Sequence, residues 1–358
     1  MGKRIVIMAG GTGGHVFPAL AVAELLIEKG WQVSWLGTHK GLESRVIPEH
    51  GIEIDWLSVT GVRGKGLTSK ITAVFMLFKA CVQALKILRK RKPDVILGMG
   101  GFVAGPGGLM AKLLGLPLII HEQNRIPGTT NRLLARLANQ VLEAFPGSFS
   151  GKIKATCTGN PLRKQFLSVL ENRPRQSENE VRILIFGGSQ GAQILNETVP
   201  EAIAEYQKSS LATQSVQIKH QTGAAMLSLV ESRYKSLGLK AESTAFIEDM
   251  VAAYQWADLV ICRAGAMTVS EVAAMGVPAI FIPLPSAIDD HQAANARYLT
   301  EAGAGLLLMQ NDLNPVTLAE YITKALKQLD VMSVAGQRCA RLDATAVVAS
   351  YCIAEAGL

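Results

Sequence analysis

A strand, glycine loop and helix occur in succession twice in this chain, and that repeat constrains the fold more than any other feature. Ile5–Ala9 is a short apolar run ending in Gly10-Gly11-Thr12-Gly13-Gly14-His15, with a stretch of helical period from Pro18 to Glu28. Val181–Phe186 is a second run, followed by Gly187-Gly188-Ser189-Gln190-Gly191-Ala192 and a helical stretch from Ile194 to Tyr206. Further β-rich runs alternate with amphipathic segments. In the first half they lie near Val33–Leu36, Ile52–Leu57, Val95–Leu97, Leu118–His121 and Val141–Ala144. In the second they lie near Val216–His220, Ser243–Ile247, Leu259–Cys262, Ala279–Ile282 and Gly305–Leu308. Strands spaced by helices of this length form parallel sheets with crossover helices, so the expected class is α/β, with two doubly wound domains facing a cleft. A length of 358 residues suits two domains. The polar, aperiodic stretch Glu171–Glu180 falls in the inter-domain region.

Charge is distributed unevenly over the two halves. Up to Lys164 there are 22 Lys and Arg against 9 Asp and Glu, a net of +13; from Gln165 onward 14 stand against 20, a net of −6. Such asymmetry points to an anionic partner for the first half alone. A nucleic acid is not that partner, because the basic residues lack interleaved aromatic stacking clusters and match no known module. The mean hydropathy of +0.24 raises the question of a bilayer. The longest apolar stretch, Thr72–Leu88, is broken by Lys79 and Lys86 and falls short of about 20 residues, so no spanning helix is expected. Neither a secretory signal nor a myristoylation pattern is read at the start of the sequence. The five cysteines are widely spaced without a CxxC and the six histidines are scattered, which argues for reduced thiols and against a zinc site.

The glycine loops carry the first chemistry. A glycine-rich turn from strand to helix lets backbone N–H groups approach a phosphate, and the helix dipole adds about half a positive charge. The same turn also serves tight packing with no ligand. Neither loop is GxGxxG, the second strand ends Leu36-Gly37-Thr38-His39 without an acid for a ribose, and Walker A is absent. A third glycine cluster, Gly98-Met99-Gly100-Gly101-Phe102, follows the Val95–Leu97 strand. His121-Glu122-Gln123-Asn124 ends a buried run, where α/β enzymes place their chemistry, although His121 and Glu122 could equally cap the next helix. In the second half, Cys262-Arg263-Ala264-Gly265-Ala266-Met267-Thr268-Val269-Ser270-Glu271 joins strand to helix. Glu271 there can cap the helix or accept both hydroxyls of a ribose. Asp289-Asp290-His291-Gln292-Ala293-Ala294-Asn295 groups amides and carboxylates in a way that suits a sugar.

Taken together and in order, GGTGGH, GMGGF, HEQN, GNPLR, GGSQGA, CRAGAMTVSE and DDHQAANA resemble the MurG family of bacterial transferases. That family adds N-acetylglucosamine to undecaprenyl-pyrophosphoryl-muramoyl-pentapeptide. The resemblance implies the GT-B fold, two Rossmann-like doubly wound parallel-sheet domains facing a cleft. It implies an acceptor- and membrane-facing domain of residues 1–162, joined by a C-terminal helix at about 338–358, and a donor domain of residues 163–337. The last helix, roughly Val331–Ala356, is expected to cross back to the first domain. By motif position, Ser189 and the turn Ala266, Met267, Thr268, Val269 and Ser270 would contact the diphosphate of UDP-N-acetylglucosamine, with Arg163 adding charge. Ile247 would lie against uracil, Glu271 would hold the ribose and Gln292 would read the sugar. Thr12, Gly13, Gly14 and Asn124 would complete the donor site. His15 and the loop of Gly100, Gly101 and Phe102 would face the acceptor, where Phe102 lacks the hydroxyl a tyrosine would offer. A diacylglycerol glycosyltransferase and a UDP-N-acetylglucosamine 2-epimerase, which share the fold, are the alternatives.

The reaction itself can be argued from chemistry. The 4-hydroxyl of the acceptor attacks the anomeric carbon as UDP leaves, and negative charge grows on the diphosphate. Helix N-termini, backbone N–H groups and Arg163 can stabilise that charge, so no metal or other cofactor is expected. A single displacement inverts the anomeric carbon. His15, whose ordinary pKa lies near 6.5, is favoured as the base that takes the hydroxyl proton, with Glu122 as its competitor. Residues 65–92 form a basic amphipathic segment, with Leu67, Ile71, Val74, Phe75, Phe78, Val82, Leu85 and Leu88 at helical spacing among lysines and arginines. Such a helix can lie on an anionic membrane surface, placing the protein on the cytoplasmic face of the inner membrane, or can pack on its own sheet with a solvated basic rim.

Overall fold

The computed structural model describes residues 2–59, 67–149, 151–167, 179–188, 191–209, 214–285 and 290–357, with backbone alone over 67–73. The chain divides into two compact units: Met1–Lys164 with Arg341–Leu358, and Gln165–Ala340.

Unit 1 begins with β1 (Arg4–Ala9), α1 (Gly13–Glu28), β2 (Gln32–Gly37), α2 (Glu43–Glu49), β3 (Glu53–Trp56), α3 (Leu67–Arg91) and β4 (Val95–Gly100). It continues with α4 (Ala104–Leu113), β5 (Leu118–Glu122), α5 (Thr129–Leu134), β6 (Gln140–Glu143) and β7 (Thr156–Cys157). These strands form one parallel sheet in the order β3-β2-β1-β4-β5-β6-β7. Side chains alternate across a strand. In β1, Ile5, Ile7 and Ala9 therefore pack toward α1 with Val348 and Cys352, whereas Val6 and Met8 pack on the other face with α3 and α4. Each fully buried aliphatic side chain in these layers contributes about 1.5–3 kcal/mol.

Unit 2 opens within the short helix α6 (Lys164–Leu167) and continues with β8 (Glu180–Phe186), α7 (Gln193–Lys208), β9 (Ser215–Gln221), α8 (Leu227–Ser236), β10 (Ala241–Thr244) and α9 (Met250–Trp256). Then come β11 (Leu259–Cys262), α10 (Ala266–Met275), β12 (Ala279–Phe281), α11 (His291–Thr300), β13 (Gly305–Leu307), α12 (Pro315–Leu326) and α13 (Leu329–Cys339). Its parallel sheet runs β10-β9-β8-β11-β12-β13. The chain ends with α14 (Ala344–Glu355), which belongs to unit 1 and lies on α1.

Four elements differ from the sequence reading. Helix α1 starts at Gly13, five residues before Pro18, because Thr12 adopts extended backbone and its carbonyl accepts from the N–H of His15 and Val16. Glycines carry no side chain, so they hide that turn from any periodicity. The expected last helix at Val331–Ala356 is two helices, α13 and α14. Ala340 turns extended between them, since the two apolar faces serve different cores. The run at Ser243–Ile247 shifts to Ala241–Thr244, where it registers with Ile218–Gln221, and Ile247 falls in the following loop. The two-residue strand β7 at the sheet edge is too short to show a period.

Helix α3 has a buried face and an exposed apolar face. Ala80, Ala84 and Leu88, four residues apart, are buried in the core with Ala104, Met110 and Ala111. Val74, Phe75, Leu77, Phe78 and Val82 are exposed, Phe75 to 76% and Phe78 to 68%. Arg91 pins the helix end through Asp55 (2.6 Å) and Glu53. Among the described residues no helix is long and apolar enough to cross a membrane.

Candidate functional site

In unit 1 the two glycine loops interlock. Gly101, at φ +81°, approaches Gly10 so closely that a Cβ on it would stand 2.4 Å from the Gly10 carbonyl oxygen. Gly100, at φ +102°, lies against the His15 ring, where a Cβ would stand 2.8 Å from Cδ2. Only glycine accepts both the conformation and the contact. His15 therefore projects from the first turn of α1 onto the end of β4, and Phe102 beyond it is 53% exposed. Thr12 is exposed and its hydroxyl makes no capping bond to the helix. Gly13 packs under the ring of Phe17, and the Arg163 guanidinium sits over that same ring, 5.4 Å from its centroid.

The loop is fixed from below by a residue the sequence reading passed over. Glu43, fully buried, accepts from Gly11 N–H with Oε2 (2.9 Å) and from both the N–H and the hydroxyl of Thr38 with Oε1 (2.9 and 2.8 Å). Among the described residues no cation pairs with it.

The His121–Asn124 segment is a buried hydrogen-bond network at the end of β5. Glu122 Oε1 accepts from the backbone and side-chain nitrogens of Asn124 (2.9 and 3.2 Å), and Oε2 accepts from Gly128 N–H and Asn131 Nδ2 (3.1 and 2.9 Å). Four donors occupy the carboxylate, which shapes the loop carrying Asn124. The Gln123 amide donates to His121 Nδ1 (3.1 Å), so His121 Nε2–H donates to Gly159 O (2.9 Å). Burial pushes the His121 pKa down to about 4, although the Gly159 bond acts in the other direction.

In unit 2 the candidate donor residues cluster at the carboxyl ends of the strands. Helix α10 starts at Ala266, with Gly265 extended before it and no acid in its first turn. Glu271 thus lies in the second turn, where the sequence placed it in the first. Its Oε2 accepts from the Tyr254 hydroxyl at 3.2 Å. Ala266 and Val269 turn their side chains inward and the Val269 N–H donates to Gly265 O (2.9 Å), while Met267, Thr268 and Ser270 are partly exposed. Gln221 at the end of β9 accepts from Ile247 N–H (3.0 Å) and donates to Gly188 O (2.7 Å), tying the Ile247 loop to the glycine loop. Gln292 Oε1 accepts from Leu284 N–H (3.0 Å), and Arg263 donates to Ile282 O and Pro283 O (3.0 and 3.1 Å). Both line a cavity of about 520 Å³ with Gly187, Gly191 and Gln310. Ser189 and Asp289 lie outside the described residues.

The structure brings His15, Gly100 and Gly101 together in unit 1, where Thr12, Gly13, Gly14, Asn124 and Arg163 also stand. It places Ile247, the Ala266–Ser270 turn, Glu271 and Gln292 in unit 2. Glu43 and Gln221 gave no local signal, since each is a lone polar residue that reaches a glycine loop far along the chain. Among the described residues no three His, Cys, Asp or Glu converge as metal ligands.

Two units of this type define a GT-B glycosyltransferase. Residues 5–143 match the glycosyltransferase family 28 N-terminal domain and residues 182–339 its C-terminal domain. A relative from Methylococcus capsulatus, named UDP-N-acetylglucosamine–N-acetylmuramyl-(pentapeptide) pyrophosphoryl-undecaprenol N-acetylglucosamine transferase, is 58% identical over the whole of both chains. A relative of the same name from a Shewanella strain is 48% identical over 99% of this chain and 98% of its own. The crystal structure of MurG from Acinetobacter baumannii superposes with a TM-score of 0.84 at 40% identity, covering 98% of this chain and 99% of that one. The calicheamicin glycosyltransferase CalG4, 16% identical with a TM-score of 0.69, shares the fold. The chain belongs to glycosyltransferase family 28 and, within it, to the MurG family.

Proposed function

We propose that this protein transfers N-acetylglucosamine from UDP-N-acetylglucosamine to the 4-hydroxyl of undecaprenyl-pyrophosphoryl-N-acetylmuramoyl-pentapeptide, the step from lipid I to lipid II in peptidoglycan synthesis. The observation that carries this reading is the full-length match to relatives of that name.

The residues divide the work as follows. In unit 2, Glu271 holds the ribose, Ile247 lies on the uracil, and the first turn of α10 offers its N–H groups to the diphosphate. Arg163, Ser189, Thr12, Gly13, Gly14 and Asn124 add to the donor contacts, and Gln292 reads the sugar hydroxyls. In unit 1, His15 takes the proton of the attacking 4-hydroxyl; the new C–O bond forms as the bond from the anomeric carbon to the UDP oxygen breaks. The electron pair leaves on the diphosphate, where a helix N-terminus and a guanidinium meet the growing charge, and the anomeric centre inverts. Glu122, already accepting from four donors, holds the Asn124 loop, so His15 is the base in this reading. The leaving group needs no divalent ion for this step, and turnover persists in EDTA.

The acceptor's lipid anchor requires contact with a bilayer. The exposed Val74, Phe75, Leu77, Phe78 and Val82 of α3, with Lys79, Lys86, Arg89 and Lys90 on the same helix, suit insertion into an anionic interface on the cytoplasmic face of the inner membrane. The test of the whole reading is incubation with labelled UDP-N-acetylglucosamine and the lipid-linked muramoyl pentapeptide. UDP and a lipid-linked disaccharide form together if it is right; UDP without disaccharide, or free N-acetylmannosamine, refutes it.

A further inference from the structure

We infer that Glu43 is a positioning residue for the acceptor side of the reaction, holding the loop that carries His15. Its carboxylate is fully buried and accepts three hydrogen bonds, all from neutral donors, one from Gly11 N–H and two from Thr38. Glycines leave space for it. A Cβ on Gly10 would stand 2.7 Å from Oε1, and one on Gly41 would stand 2.0 Å from Oε2. On the opposite side of Gly10 lies Gly101, and Gly100 beside it bears on His15. Carboxylate, first glycine loop, second glycine loop and imidazole thus form one contiguous stack, with Glu43 at its base.

A buried carboxylate without a cation partner is costly, and it is retained only where its donors require it. Here those donors are the loop's own Gly11 N–H and the end of β2. Because that N–H is turned inward to Glu43, Thr12, Gly13, Gly14 and His15 are set in one register on the outer side. Displacing a reacting group by about 1 Å can cost about 100-fold in rate. The inference rests on the role proposed for His15; Thr12, Gly13 and Gly14 on the same loop also touch the donor, so UDP affinity is read beside kcat, the uracil and ribose contacts lying in unit 2.

The test uses the full chain with Glu43→Gln, which keeps the shape but sets an amide N–H against donor N–H groups, and Glu43→Asp, which keeps the charge but withdraws it. Both are compared with wild type for kcat, for the KM of each substrate, for UDP affinity, and for amide hydrogen exchange in residues 9–17. The expected result for Glu43→Gln is a fall in kcat of about 10- to 100-fold and faster exchange in residues 9–17, with UDP affinity within about twofold of wild type. Glu43→Asp recovers part of the rate. Unchanged kcat and unchanged exchange in Glu43→Gln overturn the inference. So does a parallel loss of UDP affinity in both variants, which would make Glu43 a residue of general stability. The exchange measurement needs no turnover, so it stands even if His15 proves not to be the base, a separate result read from His15→Ala.

Discussion

Gln221 accepts the backbone N–H of Ile247 at 3.0 Å, and its side-chain nitrogen donates 2.7 Å away to Gly188 O. One amide therefore fixes both the loop assigned to uracil and the glycine loop after β8. Replacing it by Ala removes two part-buried hydrogen bonds, each contributing about 0.5–1.5 kcal/mol. Gln221→Ala is expected to weaken UDP binding about tenfold by calorimetry while the KM for the lipid acceptor stays near wild type.

The Tyr254 hydroxyl bond to Glu271 gives a graded pair of variants. Tyr254→Phe removes one neutral-to-carboxylate donor and should raise the KM for UDP-N-acetylglucosamine several-fold. Glu271→Gln, altering the group assigned to the ribose itself, should raise it further and abolish the preference for UDP over its 2′-deoxy analogue. An undiminished preference in Glu271→Gln would remove Glu271 from the ribose site.

Two buried histidines make stability depend on pH. Burial pushes the pKa of His121 to about 4 and that of His220 to about 3, below the ordinary value near 6.5. Both stay neutral in the folded protein where the unfolded chain takes up protons. Stability is therefore full above about pH 6.5 and is lost as the pH falls toward 4, on the order of 3 kcal/mol for His121 across that window. Chemical denaturation between pH 7 and 4.5 reads the slope, and NMR should find the His121 ring still neutral at pH 5. Titration of His121 above pH 6 would contradict the buried network.

The exposed aromatic face of α3 predicts a separable membrane defect. Phe75 and Phe78 are exposed, so replacing both by Ser should leave the thermal melting temperature within about 2 °C, the range expected when a surface change costs under about 0.5 kcal/mol. Partition onto phosphatidylglycerol vesicles should fall at least about tenfold, because burying such side chains is worth about 1.5–3 kcal/mol each. Binding of the wild type should also weaken with salt. Binding that is indifferent to both would leave α3 with a structural role only.

Much of the fold was legible because parallel strands buried on both faces read as unbroken apolar runs. Leu259–Cys262 coincides with β11 to the residue. What escaped did so for physical reasons. The start of α1 is written in glycines, and the break between α13 and α14 is set by which core each helix serves, which no periodicity records. In the candidate site, His15, Glu271 and Gln292 stood out by residue type in a motif. Glu43 and Gln221 did not, because Glu43 reaches Gly11 across 32 positions and Gln221 reaches Gly188 across 33. Glu122 stood out as a competing base by residue type, and the four donors on its carboxylate had no signal in the sequence.

The central claim is transfer to the lipid-linked acceptor with His15 as the base, and one measurement addresses it most directly. Labelled UDP-N-acetylglucosamine and lipid-linked muramoyl pentapeptide are incubated with wild type and His15→Ala, both substrates saturating, and the disaccharide-lipid is quantified with its linkage. The account predicts a β-linked product from wild type and turnover lowered about 100- to 10,000-fold in His15→Ala, the range for removal of a general base. Wild-type turnover in His15→Ala, or an α-linked product, would contradict it.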